Sequence, residues 1–277
     1  MVKEVSEVFE KTDSGATDPL VGTIDNKQAI IKVSRNTYGP RVLVNEFVCL
    51  RLAQILELPI PRGGIGIIDN STDVEQLLDY EIALPDIEGL CFYSEKSEKV
   101  LEFIDLSPQL VEKLSNRNYI IRVILFDHFI HNKDRHDGNI LLSYSNSTNL
   151  KFSIIDHSHV FNMGNDWAKI IQGNYNEPYI LEENKDVYSN FYESIDINLE
   201  VLNDEARIFK ERLDRDTIVG ILDELPEVLL KPEEKERILQ YLLHRLSIID
   251  EICCFIYENI KCPGGEINED SLFGSVL

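Results

Sequence analysis

Two kinds of hydrophobic pattern follow one another along this chain, and the change between them divides it. Towards the amino terminus the apolar positions come in short extended runs. Residues 1–11 read as a strand or extended start, and Thr12-Asp13-Ser14-Gly15-Ala16-Thr17-Asp18-Pro19 as turn chemistry before a short segment that ends at Gly22. Gln28-Ala29-Ile30-Ile31-Lys32-Val33 has the pattern of a buried strand with one lysine near its end. After a loop over residues 35–40, Val44, Phe47, Val48, Leu52, Ile55 and Leu56 recur at helical spacing until Pro59 and Pro61 stop the helix. Residues 64–90 read as a second strand-rich stretch.

Beyond Phe92 the period becomes helical through about Ile130, and residues 118–130 are strongly apolar. Two short strands follow, Ile140–Ser143 and Phe152–Ile155, joined by a turn at Ser145-Asn146-Ser147. Residues 199–261 are helical again, with Pro226 and Pro232 separating helices, and Gly264-Gly265 opens a loose acidic tail. The expected fold is α+β in two lobes, β-rich over residues 1–91 and mainly helical over residues 92–277.

Composition narrows the partners. The 277 residues are 43% hydrophobic, and their mean hydropathy of −0.16 is that of a soluble globular protein. A formal net charge of −22 argues against nucleic acid and against anionic membranes, since both need clustered Lys and Arg. The five cysteines, Cys49, Cys91, Cys253, Cys254 and Cys262, show no ligand spacing and read as free thiols in a reducing compartment. No signal-peptide core opens the chain, and charges interrupt every apolar run short of membrane-spanning length. A cytoplasmic protein is expected.

The chemistry concentrates in His131-Asn132-Lys133-Asp134-Arg135-His136-Asp137-Gly138-Asn139-Ile140 and its answer, Ile154-Ile155-Asp156. The spacing Asp134-x-x-x-x-Asn139 equals that between the acid and the amide of a protein-kinase catalytic loop. In that arrangement one carboxylate accepts the proton of an attacking hydroxyl, while an amide and a second carboxylate hold magnesium against nucleotide phosphates. A lone Asp in a polar turn is ordinarily a solvated loop residue. Asp134 differs because Asp137-Gly138 turns the chain back, so that Asp134 and Asn139 face one cavity. Asp156, at the end of an apolar strand, is the second expected metal ligand with Asn139. Lys32 is the expected phosphate-binding cation, and Glu46 on the following helix its ion-pair partner. Ser14 and Gly15 begin a stretch, residues 14–22, in the place where a phosphate-covering loop would lie, although it is neither G-x-G-x-x-G nor Walker A. Arg135 and His136 are further candidates to touch the transferred phosphate, or else to make local turn contacts.

Two other readings stay open on the residues alone. His128, His131, His136-Asp137 and His157-x-His159 could make a metal site of the HD-type phosphohydrolase kind, because zinc and iron favour imidazole. Against it, His136-Asp137 runs into turn residues where that site needs a helix. The chain could also be a pseudokinase, binding nucleotide as an interaction module and transferring nothing.

Taken together these residues resemble the HipA-like kinase family, in particular small stand-alone members. The features that carry the resemblance are Lys32 on its strand, Val44-Asn45-Glu46-Phe47 with Leu52-Ala53 and Leu58-Pro59-Ile60-Pro61, the Asp134-Arg135-His136…Asn139 loop, and Ile155-Asp156. The Asp-Arg-His order is also similar to that of phosphatidylinositol kinases. The resemblance implies an ATP- and Mg2+-dependent kinase, with Asp134 as base, Asn139 and Asp156 on metal and Lys32 on phosphates. It implies a hydroxyl-bearing substrate, in well-studied members serine or threonine of a protein, and in toxin members a DNA-binding antitoxin as partner. It also makes Ser14 a candidate for autophosphorylation. The chain departs from better-known members in lacking an extra amino-terminal subdomain and in following Asp156 with His157-Ser158 where kinases have Phe-Gly.

Overall fold

A computed structural model describes residues 2–12, 17–36, 39–97, 100–101, 106–144, 149–161, 184–192 and 194–261. Its first part is a six-stranded sheet in the order β1-β5-β6-β4-β3-β2, made of β1 (Lys3–Glu4), β2 (Glu7–Lys11), β3 (Leu20–Ile24), β4 (Lys27–Val33), β5 (Gly63–Ile68) and β6 (Gly89–Glu95). All neighbours are antiparallel except β1 and β5. β2 crosses close to β3 at Gly22, where a Cβ would stand 2.4 Å from the Glu7 carbonyl oxygen, so the sheet closes there only around glycine.

The two faces of β4 go to different cores. Ala29, Ile31 and Val33 join Cys91, Tyr93, Leu77 and Ile87 in a small cluster on one side. Lys32 faces the other way, in register with Phe92, whose side chain packs in the large core with Phe47 and Ile65. Helix α1 (Arg41–Ile55) covers that second face. The alternation of β4 therefore delivers one lysine beneath one helix.

The stretch 64–90 is not strand throughout. After β5 it turns at Asp69, whose carboxylate accepts from the Ser71 N–H (2.8 Å), and then forms a 3-10 turn (Glu75–Tyr80) and the short helix α2 (Leu84–Ile87). Pro85 sits in the first turn of α2, where a missing N–H costs nothing. The strand pattern reappears only at β6. The expected lobe boundary at 91/92 falls inside that strand, whose residues Phe92 to Glu95 pair with β4 and those to Ser94 with β5, so the sheet unit runs through Glu95.

The second part holds a three-stranded sheet, β7 (Val100–Leu101), β8 (Ile140–Tyr144) and β9 (Leu150–Ile154), among helices α3 (Pro108–Val111), α4 (Ile120–Ile130), α5 (Lys185–Tyr192), α6 (Leu199–Arg212), α7 (Arg215–Asp223), α8 (Pro232–Ser247) and α9 (Ile249–Lys261). Ten of the eleven residues of α4 are buried, as expected of a helix apolar on every side, and α5, α6, α8 and α9 pack around it. Buried Arg245 of α8 donates to the last carbonyls of α4, from Nη2 to His128 O at 2.5 Å and from Nε to Phe129 O at 3.3 Å. The helix ends at His131, in the left-handed region at φ 55°. The centre of the second part is thus a rigid rod whose carboxyl end feeds straight into residues 132–139.

Candidate active site

Lys32, Glu46 and Asp156 meet beneath the first sheet. Lys32 Nζ lies 2.5 Å from Glu46 Oε1 and 3.0 Å from Asp156 Oδ1. Lys32 and Glu46 are buried, whereas the Asp156 side chain keeps 27% of its exposure. The ammonium is held charged: burial works against it, but the Glu46 and Asp156 carboxylates outweigh burial and raise it. Burial pushes the Glu46 carboxyl up, and the Lys32 ammonium opposes that shift. Burial would raise Asp156 too, yet Lys32 and the hydroxyl and N–H of Ser158 win and hold its carboxyl well below the usual range.

Asp156 reaches this point by strand register. Ile140 pairs with Ile154 and the Ile155 N–H donates to the Asn139 carbonyl at 3.1 Å, so Asn139 and Asp156 leave the same end of the β8–β9 hairpin. Asp156 then turns at φ 55°, a region open to Asp at moderate cost. The turn brings the His157 N–H to Glu46 Oε2 (3.2 Å) and the Ser158 carbonyl to Asn45 Nδ2 (2.8 Å), clamping it onto α1.

The loop carrying Asp134 is built on a buried polar network. Arg135, fully buried, grips Asp127 of α4 with two bonds of 2.9 Å. Its Nη1 donates to the carbonyls of Asn139 (3.0 Å) and Ile155 (2.9 Å), and Nη2 meets His157 Nε2 at 3.1 Å. Asn132 Nδ2 and the Tyr188 hydroxyl complete the shell of Asp127 at 2.9 and 2.8 Å. Asn184 accepts from the Arg135 N–H at 2.8 Å and donates to the Asn132 carbonyl at 2.8 Å. Every nitrogen of the Arg135 guanidinium is committed to protein, so this residue props the loop from below and offers nothing to a phosphate. That removes it from the expected phosphate contacts.

Asp134 and His136 lie on the open side of the loop. Asp134 is half-buried and His136 exposed, with Nε2 to Oδ1 at 3.9 Å. His136 Nδ1 accepts the Gly138 N–H at 3.1 Å, and a Cβ at Gly138 would stand 2.8 Å from that ring and displace it. Asn139 Nδ2 donates to the Asp134 carbonyl at 2.6 Å, fixing the amide so that its oxygen is the atom open to a cation. Asp156 takes all its bonds on Oδ1, and among the described residues none falls on Oδ2. One amide oxygen and one carboxylate oxygen at one hairpin end fit magnesium, which keeps several waters and takes the rest of its shell from phosphates.

The other sequence candidates sort differently. Ser14 and Gly15 lie outside the described residues. The histidines do not assemble: His128 is buried in α4 with Nδ1 on the Ile124 carbonyl (2.8 Å), His157 serves Arg135, and His136 is at the surface. Among the described residues no group of three or more His, Cys, Asp or Glu is placed to hold a metal. A separate cleft of about 520 Å³ lies between the Lys3, Lys27 and Tyr93 end of the sheet and Arg51 of α1, and none of its lining belongs to this site.

Sequence reasoning missed Asp127, Asn132, Ser158, Asn184 and Tyr188 as members of the assembly. For Asp127 there was a signal, an acid in a largely apolar helix, which demands a buried partner.

Burial lowers His128 to about 4 and His157 to about 3. The unfolded chain therefore binds protons at these positions that the folded one refuses, and stability falls as pH drops from about 6.5 towards 4. Below about 4 the depressed carboxyls of Asp127 and Asp156 add a second loss in the same direction. Melting temperatures between pH 7.5 and 4 should show the first decline, and His128→Met should flatten it. An equal slope in that variant would refute the assignment.

Residues 5–186 match the family model described as HipA-like kinase. The crystal structure of the Helicobacter pylori proinflammatory kinase CtkA superposes with a TM-score of 0.62 at 14% identity, covering 94% of this chain and 99% of that one. The HipA protein of Shewanella oneidensis MR-1, solved in a toxin–antitoxin complex with HipB and operator DNA, gives a TM-score of 0.52 at 12% identity over 92% of this chain and 68% of its own. A search of curated protein sequences gives no match. The α+β fold, with its curled amino-terminal sheet and helical carboxyl-terminal part, is a kinase fold. No helix among the described residues is long and apolar enough to cross a membrane. The chain belongs to the HipA-like kinase family, and its chemistry is that of a kinase-type phosphotransferase.

Proposed function

We propose that the protein transfers the γ-phosphoryl group of ATP to a serine or threonine hydroxyl of a protein, with magnesium as the required ion. Asp134 accepts the hydroxyl proton from the open side of the loop. Asn139 and Asp156 hold the metal, and Lys32, aligned by Glu46, binds phosphate oxygens. When bound, magnesium supplies charge neutralisation between the phosphates. The protein's own part is positioning: a cation and two oxygen donors fixed by buried partners before substrate arrives, so that little reorganisation is needed. The acceptor class follows from the family resemblance.

The observation that supports this most is the convergence of Lys32 and Asp156 at 3.0 Å, at the hairpin end that also carries Asn139. A held cation beside a half-open acid is the pairing that a nucleotide phosphate and its metal would use. The test is thermal unfolding with and without Mg·ATP for the wild type and Asp156→Ala. Wild type should gain about 2.7 kcal/mol at a hundredfold excess over Kd, and the gain should require magnesium and vanish in the variant. No stabilisation at millimolar nucleotide would end this reading, and stabilisation without turnover on any hydroxyl would mark a pseudokinase.

A further inference from the structure

One hydroxyl joins the cation, the helix carboxylate and the metal-side acid. Ser158 Oγ lies 3.2 Å from Lys32 Nζ, 3.0 Å from Glu46 Oε1 and 2.7 Å from Asp156 Oδ1, in a residue only 2% exposed. A serine hydroxyl has one proton to give and two lone pairs to receive with. Lys32 can only donate, so it takes a lone pair. The single proton then goes to one carboxylate at a time, to Glu46 or to Asp156. The Ser158 carbonyl is tied to Asn45 and the His157 N–H to Glu46, so the backbone that carries this hydroxyl is fastened to α1.

We propose that Ser158 is a positioning residue that couples metal occupancy at Asp156 to the alignment of Glu46 on Lys32. The proposal rests on the reading of Asp156 as a metal ligand. With no cation on Asp156, the hydroxyl proton and the Lys32 ammonium share the charge of Oδ1. Once a cation at the open Oδ2 draws charge from the carboxylate, the proton turns to Glu46 Oε1 and holds it against Lys32. The kinase-typical residue at this place, glycine, has no atom that could do this, so the Asp156-His157-Ser158 sequence carries a link that Asp-Phe-Gly lacks.

The experiment is a magnesium titration of ATP-dependent thermal stabilisation, run beside ATP in excess chelator, for wild type and Ser158→Ala. Partners that orient a metal ligand typically contribute tenfold or more to metal affinity. Half-saturating magnesium should therefore rise about tenfold in Ser158→Ala, while the smaller stabilisation by metal-free ATP stays as in wild type. Ser158→Cys keeps the side-chain shape, slightly enlarged, and weakens the donor, so it should shift magnesium dependence in the same direction. It decides the matter if the alanine variant does not fold. An unchanged half-saturation, or equal loss with and without metal, would overturn the proposal and leave Ser158 a packing residue. If wild type itself shows no magnesium-dependent response, the proposed function falls and this inference with it. If wild type responds and both variants match it, only the inference falls.

Discussion

Asp134→Asn is expected to lower the rate of phosphotransfer roughly 10²–10⁴-fold, the contribution a positioned general base ordinarily makes. The substitution is close to isosteric and removes only the proton-accepting charge. The backbone of residue 134 is fixed independently of that charge: its N–H donates to Asn132 Oδ1 at 3.1 Å, and its carbonyl accepts from Asn139 Nδ2 at 2.6 Å and from the His136 N–H at 3.2 Å. Folding and Mg·ATP stabilisation should therefore match wild type while turnover collapses. Single-turnover transfer from labelled ATP to an acceptor peptide, or to the protein itself, measures it. Full activity in the variant with unchanged nucleotide binding would remove Asp134 from the chemistry.

Arg135→Ala should produce the largest loss of stability, about 3–5 kcal/mol, because it strands a buried carboxylate. Asp127 has no exposure at all, and the Arg135 side chain is equally inaccessible. Burial alone would push the Asp127 carboxyl up; Arg135 is what keeps it below its ordinary range. The same truncation leaves the carbonyls of Asn139 and Ile155 without their shared donor, loosening both ends of the hairpin that carries the metal-side residues. Arg135→Lys should recover little, since one ammonium cannot serve two carboxylate oxygens, two carbonyls and His157 at once. Urea unfolding gives the measurement. A loss below about 1 kcal/mol would mean that the network is dispensable and that Arg135 is held there for another reason.

These two neighbours show how unevenly a motif can be read. Asp134 and Arg135 stand side by side, one expected as the base and the other as a candidate to touch the phosphate. Backbone direction separates them: the side chain of one meets solvent, while the other turns inward to an acid eight positions earlier on α4. Periodicity failed over residues 64–90 for a related reason. Short apolar runs suit a strand or a 3-10 turn equally well, and the choice was made by packing of Leu77 and Ile87 under the sheet. The Lys32 strand, α1 and the β8–β9 hairpin were legible because each is defined by its own local period and turn residues.

By itself the sequence pointed to the kinase family and the α+β order of elements, and it supplied Asp134, Asn139, Asp156 and Lys32 as candidates for the chemistry. These are properties of local spacing: an acid and an amide on one turn, an acid closing a strand, a lysine interrupting another. Tertiary structure alone decided that Lys32 would be shared between Glu46 and Asp156, that Arg135 would be a prop, and that Ser158 would bridge all three site groups. The bonds of Lys32 alone join residues 14 to 126 positions apart. No local period encodes such a pairing. It follows from the sheet register and the docking of α1, which place charges where each must find a partner once water is excluded.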